Sequence, residues 1–148
     1  MSALAWTDEL RLNQPQMDQT HQEFVDLLRE TRLSLETGEA QEGLETFQRL
    51  LTHTVAHFAT EERWMHALGF EPQNAHSQQH AAVLKAMHEA LRVARDEGRW
   101  RLLRVAIAEL SQWFPMHARM MDADLALCMK KVNFDPFTGK PAHAPVAA

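Results

Sequence analysis

The sequence has no tyrosine, and Cys128 is its only cysteine. One cysteine cannot form an intramolecular disulfide, so the cysteine usage gives no sign of an oxidising compartment. The first ten residues, MSALAWTDEL, lack both the basic start and the apolar run of a signal peptide. Together these absences predict a cytoplasmic protein.

Excess positive charge is also absent, because the 148 residues carry a formal net charge of -5. A basic surface is what binds nucleic acid or an anionic membrane, and no stretch approaches the length of a membrane span. We therefore expect no nucleic-acid partner and no membrane partner. Five arginines within residues 92–104 alternate with acidic residues. We interpret them first as a salt-bridged surface, and second as a docking patch for an unidentified protein partner.

Glycine is scarce, with five in the chain, and no segment alternates apolar and polar residues as a strand does. Apolar residues recur at helical spacing instead, which predicts an all-α protein. The predicted helices lie at about residues 18–37, 40–68, 74–97 and 99–131. Their short connections favour an up-down-up-down four-helix bundle over residues 17–131. In this prediction residues 1–16 are an irregular lead-in, and residues 132–148 are a loose C-terminal tail.

Polar side chains interrupt the apolar faces of all four predicted helices. They are His21, His57, Glu61, His76, His80 and His117. A buried polar group has to be hydrogen-bonded, and a buried charge has to be paired or bound to a metal. His57 and Glu61 are four residues apart, as are His76 and His80, so each pair lies on one face of its helix. The joint pattern predicts a buried metal site.

Each of these histidines taken alone has a simpler explanation, because most buried polar side chains are merely hydrogen-bonded. The metal site is inferred only because several imidazoles and a carboxylate share one small core. The other histidines are expected elsewhere: His53 in an outer layer or beside the ligands, His66 and His88 on the surface, and His143 in the tail.

Asp122 does not fit the pattern of a regular helix. It follows His117 by five residues, an offset of about 140° around an α-helix, so spacing alone does not put both side chains on one ion. Pro115, just before them, removes a backbone donor and should bend the helix. A bulge or a bend there would bring His117 and Asp122 together.

The number of candidate ligands indicates how many ions the site holds. Five histidines and one or two carboxylates exceed the four ligands of a tetrahedral zinc and suit two ions bridged by carboxylate. Because the number of histidines is odd, one ion has three and the other has two, which leaves an open position for a small ligand. No glutamate precedes a histidine by three residues, which argues against a ferritin-like or oxygenase site.

The chain resembles the bacterial hemerythrins in four stretches. They are MDQTH ending at His21, HFATEE starting at His57, HSQQH starting at His76 and WFPMHARMMD ending at Asp122. The resemblance covers about residues 6–131 and includes the order of the helices. It implies a cofactor of two non-haem iron ions bridged by an oxo or hydroxo group.

The resemblance also implies which residues hold each iron. The three-histidine iron is held by His76, His80 and His117. The other iron is held by His21 and His57, and dioxygen binds there. The bridging carboxylates are Glu61 and Asp122. After His117 the family often has a larger aliphatic residue, whereas this chain has Ala118, which predicts a more open pocket.

The function implied by the resemblance is carriage, storage or delivery of dioxygen without catalysis. Two alternatives stay open from the sequence. One is a sensor of oxygen or nitric oxide that acts through a separate protein partner. The other is an enzyme that handles peroxide or nitric oxide, or repairs iron centres.

Overall fold

Four long helical segments make up most of the chain. The computed structural model describes residues 4–141, and its helices are α1 (Pro15–Glu36), α2 (Ala40–Ala67), α3 (Ala75–Glu97), α4 (Arg101–His117) and α5 (Ala123–Lys131). A π-helical turn at Ala118–Asp122 joins α4 to α5, so the three together form the fourth predicted helix. Each long segment contacts the next along the chain, and α1 also contacts α4. The predicted all-α four-helix bundle is confirmed.

The start of α3 is fixed by a capping box. Asn74 accepts a hydrogen bond from the backbone N–H of Ser77 at 2.9 Å, and Ser77 Oγ accepts one from the backbone N–H of Asn74 at 3.1 Å. This reciprocal pair satisfies two backbone donors that the first helical turn leaves without partners. His76 lies in that same turn, so the capping box also fixes the backbone from which His76 projects.

The interior of the bundle consists of two apolar clusters separated by polar side chains. The larger cluster includes Phe24 of α1, Phe47 of α2 and Phe114 of α4. The smaller cluster includes Met17 and Met65, and it extends to residues of α5. Between them lie the buried polar residues that we call the polar layer, namely His21, His57, Glu61, His76, His80, His117 and Asp122.

The two chain ends contact the bundle in different ways. Trp6 in the lead-in packs against the larger apolar cluster. After α5, strand β1 (Phe134–Asp135) pairs antiparallel with β2 (Lys140–Pro141), and Trp64 donates a hydrogen bond to the carbonyl of Pro136 at 3.3 Å. The composition of the predicted tail did not indicate this pairing. His143 lies outside the described residues.

No helix within residues 4–141 is both long enough and apolar enough to cross a membrane. Two of the five arginines of residues 92–104 form the expected ion pairs: Arg92 lies 2.7 Å from Glu89 and 3.1 Å from Glu97, and Arg95 lies 3.0 Å from Asp96. Because these side chains are exposed, each pair contributes little to the stability of the fold.

Candidate metal centre

Glu61 lies at the centre of the polar layer and is completely buried. Its Oε1 is 3.2 Å from His76 Nε2 and 3.3 Å from His80 Nε2. Its Oε2 is 3.0 Å from His57 Nε2 and 3.5 Å from His21 Nε2. One carboxylate of α2 therefore contacts imidazoles from three helices, and each of its oxygens faces a different pair.

Asp122 is also completely buried and divides the histidines in the same way. Its Oδ1 is 2.9 Å from His76 Nε2 and 3.2 Å from His117 Nε2, whereas its Oδ2 is 3.2 Å from His21 Nε2. All of these contacts are made by Nε2 of the imidazole rings. Both carboxylates thus present one oxygen to a three-histidine half and the other oxygen to a two-histidine half.

The ligand atoms of each half lie close enough together to hold one ion. One set is Glu61, His76, His80, His117 and Asp122, and the other is His21, His57 and Glu61; within each set the ligand atoms lie within 4.8 Å of one another. The structure therefore brings together all seven residues that the sequence nominated. It also reproduces the division into three and two histidines that the resemblance implied.

The π-helical turn explains how Asp122 reaches the same place as His117. The backbone N–H of Ala123 donates to the carbonyl of Ala118, five residues earlier, instead of four as in an α-helix. This wider turn absorbs the extra residue between the two ligands. Of the bulge or bend that would bring the two side chains together, the structure shows the bulge, which begins three residues after Pro115.

Buried atoms in the polar layer that lack a hydrogen-bond partner indicate that a cation fits there. They include both oxygens of Glu61 and of Asp122, and Nε2 of His21, His76, His80 and His117. Unpaired buried polar atoms are rare in folded proteins, and each of these lies within 3.5 Å of at least one other without the geometry of a hydrogen bond. Imidazole nitrogens and bridging carboxylates that converge in this way suit a pair of borderline metal ions such as iron.

The charges of the metal-free layer cancel. Burial lowers the pKa of His21 and of His76, but the carboxylates of Asp122 and Glu61 outweigh burial and raise both pKa values to about 9. Burial raises the pKa of each carboxyl group, yet the surrounding imidazoles hold the pKa of both below the ordinary value. Two carboxylates are then balanced by two imidazolium ions, whose protons a metal must displace.

Metal-free protein should lose stability as the pH rises from 6.5 to about 9. A folded-state pKa above the unfolded value stabilises the fold below pH 6.5, and this contribution disappears as the pH passes the folded-state value. His21 and His76 each account for at most about 3–4 kcal/mol, since each pKa rises from 6.5 to about 9 and one pKa unit corresponds to about 1.4 kcal/mol. Urea denaturation of chelator-treated protein across this range measures the loss, and His21→Gln should reduce it. A constant stability would contradict the assignment of these protons.

Aromatic rings surround the polar layer and limit its contact with water. Phe58 stacks on His80 with ring centroids 3.8 Å apart, and Trp113 stacks on His117 at 4.2 Å. Phe114 meets His21 edge to face at 5.1 Å. Trp113 and Phe114 therefore lie directly against imidazoles of the polar layer.

Two further polar residues contact the ligands from outside the layer. His117 Nδ1 donates to Gln79 Oε1 at 2.8 Å, which leaves Nε2 free to face the cluster. Glu62 Oε2 lies 3.5 Å from His80 Nδ1. The side chain of Glu62 is exposed, unlike that of the preceding residue, Glu61. The sequence reasoning did not nominate Gln79, although its position three residues after His76 in HSQQH puts it beside the site.

The remaining histidines in the described part of the chain do not belong to either set of candidate ligands. His66 and His88 are exposed, as predicted. His53 is half-buried next to the layer, with its ring centroid 6.3 Å from that of His57 and its Nε2 3.5 Å from Glu23 Oε1. This agrees with the predicted position of His53 near the ligands.

Comparison with known proteins gives one family. The sequence profile described as "Hemerythrin HHE cation binding domain" matches residues 14–126. A protein of Ralstonia nicotianae called bacteriohemerythrin is 34% identical over 122 residues, which are 82% of this chain and 85% of the relative. A bacteriohemerythrin of Stenotrophomonas maltophilia is 28% identical over 120 residues, covering 80% and 76% of the two chains. No solved structure gives a significant match.

Proposed function

Because the chain belongs to the hemerythrin family, we propose that it holds two non-haem iron ions in the polar layer and binds dioxygen reversibly. It would serve as a carrier, store or donor of dioxygen, without catalysing a reaction. We place it in the cytoplasm because one cysteine cannot form an intramolecular disulfide.

The observation that carries this proposal is the orientation of the two carboxylates, whose oxygens face different groups of histidines. Glu61 and Asp122 each direct one oxygen to the three-histidine half and one to the two-histidine half. His76, His80 and His117 would hold one iron, His21 and His57 would hold the other, and the carboxylates would bridge them. The two-histidine iron has fewer protein ligands, so a small molecule has room to bind there.

Iron would supply the reversible electron exchange with dioxygen that protein side chains do not provide. The chain itself contributes position and exclusion of water. Gln79 fixes the tautomer of His117, while Phe58, Trp113 and Phe114 cover the imidazoles with apolar rings. Ala118, which is 1% exposed, packs in the larger apolar cluster beside Phe114. A dry layer of this kind protects a bound small molecule from protons and water.

Anaerobic reduction followed by exposure to air tests the proposal. Purified protein with two irons per chain should develop a visible absorption band in air that disappears under vacuum and returns on re-exposure. Iron is counted in the same sample. A protein that retains one zinc, or that holds two irons and shows no reversible band, would contradict dioxygen binding.

Two further measurements separate the alternatives, namely turnover of substrate with a reductant and the set of proteins bound with and without the gas. An enzyme acting on peroxide or nitric oxide would consume its substrate continuously when a reductant is supplied, whereas a carrier would release dioxygen unchanged. A sensor would bind a different set of proteins with and without its gas.

A further inference from the structure

A surface groove between α1 and α2 leads to the two-histidine half of the cluster. It has a volume of about 340 Å³, and its wall includes Glu23, His53, Ala56, His57 and Thr60. His57 is therefore part of both the groove and the polar layer. By contrast, a cavity of about 710 Å³ beneath the N-terminal lead-in has Ala118 in its wall but none of the seven cluster residues.

His57 is also the most exposed of the seven cluster residues. It is 7% exposed, whereas Glu61, Asp122 and His21 are 0% exposed and His76 is 4% exposed. An ion that enters the folded protein has to exchange its water ligands for protein ligands one after another. His57 is the cluster residue that the solvent reaches most readily, so it is a suitable first ligand of the cluster.

Glu23 and His53 stand together beside His57 in the wall of this groove. Glu23 Oε1 is 3.5 Å from His53 Nε2, and the rings of His53 and His57 are stacked with an interplanar angle of 28°. The second ring nitrogen of His53, Nδ1, is buried without a hydrogen-bond partner. A carboxylate oxygen and an imidazole nitrogen are both ligands for a divalent ion such as Fe²⁺, and the net charge of -5 attracts cations.

We propose that this groove is the entrance through which the centre is loaded, and that Glu23 and His53 form a transient Fe²⁺ site that passes the ion to His57. The transfer is an exchange of ligands: water molecules leave the ion, and no electron is transferred. The inference rests on the metal centre of the proposed function but not on dioxygen binding.

Loading kinetics of the metal-free protein test this entrance. Fe²⁺ is added without oxygen to the full-length protein, samples are quenched with chelator at intervals, and the iron retained by the protein is counted. The double variant Glu23→Gln/His53→Gln should take up iron about tenfold more slowly than the wild type. Its final iron content should be unchanged, because neither residue belongs to the cluster.

The double variant His88→Gln/Glu109→Gln is the matched control, since both residues are exposed on other helices and the change in charge is the same. It should load at the wild-type rate. The proposal would be overturned if the groove variant, Glu23→Gln/His53→Gln, took up iron as fast as the wild type. It would also be overturned if iron uptake by the control variant were slowed as much as uptake by the groove variant. A lower final iron content in the groove variant would also overturn it, because the pair would then be permanent ligands.

The outcome is independent of the dioxygen test. Wild-type protein that takes up no iron would overturn the metal centre and the entrance together. A protein that holds both irons but shows no reversible band in air would contradict dioxygen binding. The proposal about the entrance for iron would be unaffected.

Discussion

Glu61→Gln should reduce the iron bound by the purified protein from two ions per chain to fewer than one. The carboxylate of Glu61 contacts imidazoles on both sides of the cluster through separate oxygens. A glutamine of the same shape has a neutral amide, whose NH₂ group repels a cation and offers no lone pair. We expect the affinity for both ions to fall by roughly 100-fold or more, beyond the usual effect of an outer-shell change.

Glu62→Gln provides the matched control, because Glu62 is the next residue and 45% exposed. It should retain both ions and the reversible band in air, with at most a modest change in affinity through its contact with His80. Iron analysis, visible absorption and far-ultraviolet circular dichroism should be measured on both variants. Equal loss of iron from the two variants, or full retention by Glu61→Gln, would refute the bridging role of Glu61.

Removal of the metal should lower the thermal midpoint of the wild-type protein by about 20 °C. Binding to the folded state alone stabilises it by about 4 kcal/mol for each ion present at a thousand times its Kd. For a chain of this size, 1 kcal/mol changes the midpoint by about 2–4 °C. This stabilisation already includes the partners that the buried oxygens and ring nitrogens of the layer lose when the metal leaves.

Treatment with a chelator, which removes the metal from the wild-type protein, should leave the thermal midpoint of Glu61→Gln almost unchanged. That variant has little metal to lose. Scanning calorimetry of both proteins, with and without chelator, measures the difference. If the chelator lowered both midpoints equally, its effect would come from somewhere other than the cluster. If the chelator lowered neither thermal midpoint, the metal would not stabilise the bundle.

Most of the fold follows from features that are local in the sequence. Apolar spacing and scarce glycine predicted four helical segments, and the predicted start of the third near residue 74 agrees with the capping box of Asn74. Met17, His21 and Phe24 follow one another on α1 at intervals of four and three residues, and all three are buried, as helical spacing predicts for one helix face. The contact of β1 with β2 could not be predicted, because two-residue strands carry too little pattern.

The candidate site was predictable to a different extent for each ligand. His57 and Glu61, like His76 and His80, share a helix face by spacing alone. Asp122 became a candidate only through the resemblance, since a regular helix directs it away from His117 and only the π-helical turn brings the two within 3.2 Å. Gln79 was missed because a neutral amide in a helix gives no signal until its partner across the bundle is known.

The widened turn between His117 and Asp122 also bears on how this lineage would change if the metal were no longer needed. A π-helical turn is rarer and less favourable than a regular α-helical one and persists mostly where function requires it. A descendant without the metal would be free to delete one residue between these two positions and restore the ordinary helical repeat. The five-residue interval, more than either side chain alone, would therefore identify the relatives that still depend on the site.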